Sequence, residues 1–329
     1  MDLNTLWFLI IGFVLAGYIV LDGADLGIGI VSLFTPKTNH KYREQLIEIT
    51  GPYWNGNEVW LIVFGGILFA VFPTVYAVLL SGFYLPFIIL LLVYIVRGIS
   101  IPIRNQYSSR SWQNFWDLCF GISGFLISFL LGAVTANLIQ GVPITEDRVI
   151  EFDLFRLTDL FSLWLGGFSV VLLGMHGAIY ASRKSDADLQ SFCQKVGFIM
   201  WCLTLFFAVP SGFILFMRKP LNGLMHHYVI FSILLMLLIT AMGYVPWGLK
   251  RRRLRNTFLA SAIVITCFLA SLFLCSYPIL LHGTEAAGDL TIYNASASTP
   301  AMIVMLILTI IAMPIVIGYS VYSRFILEQ

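Results

Sequence analysis

The sequence predicts an all-α integral membrane protein of about nine transmembrane helices, and three observations carry that prediction. Charged residues make up 11% of the 329 and hydrophobic residues 59%, whereas a soluble domain carries about 25% charged residues. Apolar runs of about 20 residues, each able to cross a ~30 Å hydrocarbon core, recur along the whole chain, and the mean hydropathy is +0.90. Lys and Arg gather in alternate breaks between those runs, the pattern that sets the orientation of a polytopic protein.

Reading the runs against the polar breaks gives spans at about 4–33, 51–72, 77–97, 115–140, 157–182, 193–217, 226–248, 257–280 and 301–323. The first run has no basic segment before it and no small-residue cleavage site ahead of "DGAD", so it reads as a retained helix rather than a signal peptide. The breaks after the first, third, fifth and seventh spans are basic: "TPKTNHKYRE", "RGISIPIRNQYSSR", "SRKSDAD" and "KRRRLR". Those after the second, fourth and eighth are neutral or acidic: "FPTVYA", "QGVPITEDRVIEFD" and "HGTEAAGDLTIYNASAST". Only "MRKP" at 217–220 departs from the alternation. The expected topology has the N-terminus outside and the C-terminus in the cytoplasm. It forms one polytopic domain over 1–329, two four-helix bundles plus one extra helix. Gly-rich stretches inside the spans ("GADLGIG", "LGG", "GMHGA") suit close helix approach in lipid.

Composition also excludes functions. A net charge of +2 does not suggest nucleic acid. The five Cys lie in or beside apolar runs without a C-x-x-C and read as reduced core residues. No phosphate-binding loop, H-E-x-x-H or nucleophile elbow is present, so nucleotide-driven and hydrolytic chemistry have no support.

The informative residues are polar ones inside apolar helices. Asp22 and Asp25 lie near the cytoplasmic end of the first span; Asn55 and Glu58 lie near the cytoplasmic start of the second. Each pair is spaced i, i+3 and shares a helix face, so a hairpin sets the two pairs at similar depth. An isolated ionised acid there costs about 2.5–3.5 kcal/mol. Carboxyl groups kept close to neutral, with amides and water between them, are what a proton relay needs. A buried hydrogen-bonded knot that fixes the helix pair is the competing reading. Asp117 beside Trp116 reads as a snorkelling interfacial pair and Asp159 with Thr158 as a helix cap; Arg97 could pair with an acid, but reads first as a positive-inside residue at a helix end. His176 in "GMHGA" is the one clearly intramembrane His, a candidate metal or haem ligand set against a satisfied core residue. His40, His226, His227 and His282 sit in or next to loops and read as surface groups.

"LDGADLGIGI", "GPYWNGNEVWL" and "FPTVYAVLLSGFYLPFIILL" together resemble subunit II of the cytochrome bd-type quinol oxidases, and the likeness extends through "ANLIQGVP", "LLGMHGAIY" and "LTIYNASAST". The joint D-G-x-D-x-G and W-x-G-N-x-V-W patterns are its most specific part. The resemblance implies a subunit of a respiratory terminal oxidase of the prokaryotic cytoplasmic membrane that oxidises quinol and reduces O2 to water. It implies an obligate haem-bearing subunit I that holds haem b and haem d (or a third haem b), and a subunit II without haem ligands that contributes to proton uptake. A small single-helix accessory subunit, membrane lipid and a structural quinone are further expected partners, with Trp54 and Trp60 as candidate quinone or lipid contacts. Many relatives carry Asp where this chain has Asn55, and Asn does not titrate, so either Glu58 takes the proton-carrying role, the reading favoured, or the route runs elsewhere, wholly through subunit I. A secondary transporter, with midplane acids and inverted repeats, and a purely structural scaffold are the alternatives.

Overall fold

The computed structural model describes residues 2–36, 39–51, 54–145, 158–218, 228–284 and 288–326, with 54, 213–218 and 323–326 described as backbone. The acidic stretch at 146–153, His226, His227 and the Trp54 ring lie outside the described residues.

Helix α1 (Leu3–Leu33) opens on Asp2, whose side chain accepts from the Thr5 amide at 2.7 Å. That bond satisfies one of the free amides of the first turn and holds the Asp2 carboxyl below its ordinary value. The short α2 (His40–Thr50) and α3 (Trp54–Val71) follow. The chain then makes α4 (Pro73–Gly82), α5 (Tyr84–Arg104), α6 (Arg110–Gln140), α7 (Leu160–Lys184) and α8 (Ala187–Arg218). Next come α9 (Tyr228–Lys250), α10 (Leu254–Ser276), a two-stranded antiparallel pair β1 (Ile279–Leu281) and β2 (Leu290–Thr291), and α11 (Thr299–Ile326). Among the described residues eight helices are long and apolar enough to cross a membrane; α2 and α3, bent by 50° at their junction, make a ninth if taken as one span. The chain is a multi-pass membrane protein.

One stretch differs from the sequence reading. The span expected over 77–97 is divided, because α4 stops at Gly82 and α5 restarts at Tyr84 after Phe83, with φ −95 and ψ 29, leaves helical geometry. Pro86, in the first turn of α5, has no N–H to donate back across this break, as Pro73 at the first position of α4 has none to donate back into α3. Helix α5 then runs past Arg97 to Arg104.

Helix α1 is the axis of the molecule. It packs directly against α2, α3, α6, α7 and α10; its N-terminal half shares an apolar cluster with α3, α4, the β pair and α11, and its C-terminal half shares one with α2, α6, α7, α8, α9 and α10. The closest approach is at Gly27, where a Cβ would stand 2.0 Å from the Leu173 carbonyl oxygen and 2.7 Å from the Gly177 nitrogen. Any side chain there would push α1 off α7, so close-packed small residues stand where water-driven association is absent.

The polar breaks fall at two opposite ends. At one, Lys41 Nζ reaches Asp186 at 2.8 Å and Arg43 Nη1 donates to Asn114 at 3.1 Å, tying α2 to α6 and to the α7–α8 turn. At the other, Val142 N donates to the His282 carbonyl at 2.9 Å, Ala297 N to the Val71 carbonyl at 2.8 Å, and the Tyr293 hydroxyl to Asp2 at 3.2 Å.

Candidate functional site

Three helices bring the site together. On α1, Tyr18, Asp22 and Asp25 follow at i, i+4 and i+7, a single face. On α5, Tyr94 and Arg97 are one turn apart, and on α3 the residues are Asn57 and Glu58. Arg97 is 2% exposed and grips Asp22, itself fully buried, with both ends of its fork: Nη2 to Oδ1 at 2.7 Å and Nη1 to Oδ2 at 3.1 Å. Nη1 also donates to Glu58 Oε1 at 3.1 Å, and Nη2 lies 4.0 Å from Asp25 Oδ2. Asp25 is held by Asn57, whose Nδ2 donates to Oδ2 at 2.7 Å and reaches the Leu21 carbonyl at 3.3 Å. One helical turn along, the hydroxyls of Tyr18 and Tyr94 are hydrogen-bonded to each other, and the Tyr94 ring lies 6.0 Å from the Arg97 guanidinium carbon.

Arg97 is the partner of the acids, the pairing that the sequence had left second to a helix-end role. Taken as a helix-end residue, Arg97 instead lies two turns inside α5, and the signal was "GISIPI", an apolar continuation past it that a helix end does not have. Its electrostatic consequence is clear. Three carboxyl groups share one guanidinium, so complete ionisation would leave excess negative charge where desolvation is severe. Asp22 is fixed by a bidentate pair, the strongest geometry a carboxylate finds. Glu58 is the carboxyl at the edge, with 26% of its side chain exposed against 0% and 2% for Asp22 and Asp25.

Asn55 does not join them. Its side chain is exposed, and Asn57 takes the place beside Asp25. At about 100° per residue, Asn55 lies some 200° round the helix from Asn57, whereas Glu58 lies on the flank. The buried stripe of α3, with Asn57, Trp60, Ile67, Leu68 and Val71, decides which face turns inward. Trp60 belongs to that stripe: it is 5% exposed, edge-on to Phe13, and its Nε1 donates to Ser320 on α11 at 3.2 Å. It is a packing residue between helices, with no face open to a quinone or lipid.

Asp117 does not snorkel to water. It is 4% exposed and accepts from Arg104 Nε at 2.5 Å, an internal pair between the end of α5 and the start of α6. Asp159 caps α7, accepting from Ser162 N at 2.5 Å and from Gln140 at 2.7 Å.

These helices, breaks and buried acids can now be set beside known proteins. The chain matches the description "Cytochrome bd terminal oxidase subunit II" over residues 3–326. It belongs to the cytochrome bd oxidase subunit II family. It is 28% identical to the cytochrome bd ubiquinol oxidase subunit 2 of Bacillus subtilis, covering 100% of this chain and 96% of that one. It is 27% identical to the cytochrome bd-I ubiquinol oxidase subunit 2 of Escherichia coli, covering 97% and 93%. In fold it is similar to the bd oxidase of Geobacillus thermodenitrificans, with a TM-score of 0.76 at 19% identity and 100% of both chains covered. The chain is therefore a subunit of a cytochrome bd quinol oxidase, an oxygen-reducing terminal oxidase, and the transporter alternative is not favoured.

A subunit II works with a partner, subunit I, in which the oxidase holds its haems. Among the described residues His176, the intramembrane candidate, does not fit as a haem ligand. Both ring nitrogens of the fully buried His176 are engaged, Nδ1 with Ser261 Oγ at 2.7 Å and Nε2 with the Val20 carbonyl at 3.0 Å, and the ring stacks on Phe258 at 4.7 Å. His176 ties α7 to α1 and α10. Among the described residues no group of three His, Cys, Asp or Glu is placed to hold a metal.

Proposed function

We propose that this subunit II supports the haem-bearing subunit I and passes protons from the cytoplasm toward it through the Glu58–Arg97–Asp22–Asp25–Asn57 cluster. The observation that carries the reading is the imbalance of the site: three carboxyls around one guanidinium, with Glu58 alone at the open edge. Asp22, clamped by the fork, is the fixed counter-ion. Glu58 makes one bond to Arg97 and releases it when protonated, which frees one N–H of Nη1 while the other stays on Asp22 Oδ2. Asp25 takes its hydrogen bond from Asn57, which can also turn toward the Leu21 carbonyl. Asn55, exposed and non-titrating, has no part in the path.

The orientation proposed is N-terminus outside and C-terminus cytoplasmic, with nine spans in one domain over 1–329, arranged as two four-helix bundles and one extra helix. Support comes from Lys41, Arg43, Arg104 and Arg110 collecting at one end of the bundle and Asp2, His282 and Asp289 at the other. In that orientation Glu58, just over one turn into α3, lies near the cytoplasmic surface. The membrane proposed is the prokaryotic cytoplasmic membrane. The partner's haems, proposed as haem b and haem d or a third haem b, supply the electron transfer and O2 chemistry; the substrates proposed are a quinol and O2. A single-helix accessory subunit, bound lipid and a structural quinone complete the proposed assembly, the quinone without Trp60 as a contact.

The test is Glu58→Gln in the purified complex. Quinol-driven O2 consumption is expected to fall by about a hundredfold, the low end of what a positioned proton-transfer group contributes, with haem content unchanged. Normal turnover would remove Glu58 from the route, and loss of the whole complex would favour a structural knot.

A further inference from the structure

We propose that the groove between α9 and α10 is a binding site for one anionic phospholipid of the leaflet that faces the basic turn at 250–255. Helix α9 ends in a turn that runs Lys250, Arg251, Arg252, Arg253, Leu254, Arg255, and all five cations are exposed. Among the described residues none of them is in an ion pair with an acid, and only Arg253 has a side-chain partner, the Trp247 ring at 5.5 Å. The turn is rigidly built: Arg251 N, Arg252 N and Arg253 N donate to the carbonyls of Trp247, Leu249 and Gly248, and Arg252 takes a positive φ of 54. The start of α10 has no side-chain cap, so its first amides open on the same side as the cations.

Directly beside this turn the two helices leave a shallow groove of about 340 Å³, with Tyr244 and Asn256 at its basic end and Leu237, Leu259 and Ile263 along it. At Thr240 it meets a second apolar groove of about 290 Å³ that follows α9 to Ser232. From Tyr244 to Ser232 is about 18 Å at 1.5 Å per residue, slightly more than the ~15 Å depth of one leaflet of a ~30 Å core. The molecule thus offers, in depth order, cations at the headgroup level, a hydroxyl and an amide at the glycerol level, and an apolar channel one acyl chain long. An orientation signal needs only the cations. The aligned groove, and five cations that make no ion pair with an acid among the described residues, fit an anionic headgroup carrying its chain, since anionic lipid is what basic juxtamembrane clusters attract.

The test uses the purified oxidase complex, delipidated and then placed in nanodiscs that mix phosphatidylglycerol with phosphatidylcholine, each carrying a photoreactive acyl chain in turn. Phosphatidylglycerol is expected to label α9 and α10 roughly tenfold more than phosphatidylcholine. Raising the ionic strength from about 0.1 M to about 1 M, which shortens the Debye length from ~10 Å to ~3 Å, is expected to erase most of that preference in the unaltered protein. Two variants divide the site: R251Q/R252Q/R255Q is expected to abolish the headgroup preference, and Thr240→Trp to block the channel and lower labelling by both lipids, with quinol oxidase activity in detergent unchanged. Equal labelling by the two lipids, a preference indifferent to salt, or cross-links to another protein chain in the groove would each overturn the proposal. The salt experiment decides even if the arginine variant fails to insert.

Discussion

Two buried arginines, one on each side of Pro102 in α5, have different companions. Arg104 faces one carboxylate, Asp117, in a pair with 7% and 4% of the side chains exposed. Arg97 faces three, and one of them reaches the edge with 26% of its side chain exposed. A balanced pair sealed from water has nothing to exchange and serves to pin α5 to α6. An unbalanced group with an open edge has both spare carboxyls and a way in. The proposed proton path therefore rests not on burial of charge alone but on imbalance together with access.

The comparison can be broken at either arginine. Arg97→Gln leaves three buried carboxyls without a cation, and removing one partner of a buried ion pair costs about 3–5 kcal/mol. Little assembled oxidase is expected in membranes, read as loss of the reduced-minus-oxidised haem absorbance. A normal haem signal would show that the cluster does not need its cation. Arg104→Gln strands only Asp117, one carboxyl against the three around Arg97, so the loss is expected near the lower end, about 3 kcal/mol. The complex should melt earlier yet turn over normally per haem, and slowed turnover would erase the distinction between the two sites.

Asn57→Leu sharpens the comparison further. Asp25 loses the donor at 2.7 Å, a hydrogen bond to a charged group worth about 2 kcal/mol, and turnover is expected to fall more than haem content. Equal losses of both would make Asn57 a structural residue only. The smallest effect is expected at the exposed pair Lys41–Asp186, with 66% and 36% of the side chains exposed. Hydrogen bonds from Lys41, Gln45 and the Leu189 amide hold the Asp186 carboxyl down at about 2 against an ordinary 3.8. A carboxyl lowered on folding stabilises the protein fully above its unfolded value and loses that stabilisation as pH falls through the folded one. The pair should thus contribute constantly above pH about 4 and fade toward pH 2. Asp186→Asn is expected to leave the melting temperature at neutral pH almost unmoved, and a clear drop would show the α2 contact to be more than a surface ion pair.

Much of this was legible in the sequence because the bilayer is a simple solvent: it demands long apolar helices and penalises buried acids, so Asp22, Asp25 and Glu58 stood out at once. What misled was rotation. Asn55 and Glu58 share a face by spacing, yet the stripe through Trp60, Ile67 and Val71 turns Asn57 inward instead. The same stripe, read on the sequence, would have corrected it. Asp117 was misread because a charged residue near a helix start looks free to snorkel until its partner across the turn is known.

By itself the sequence determined that this is a membrane protein of about nine apolar runs, which of its residues are too polar to be there by chance, and the family whose motifs it carries, since all three are properties of residue type and spacing. Only the tertiary structure decided that Arg97 serves three acids, that Asn57 rather than Asn55 meets Asp25, and that His176 is a tie between helices. Those facts depend on how α1, α3, α5, α7 and α10 are rotated and pressed together, and rotation is set by the packing of apolar faces and glycines such as Gly27 against Gly177, which no residue specifies alone.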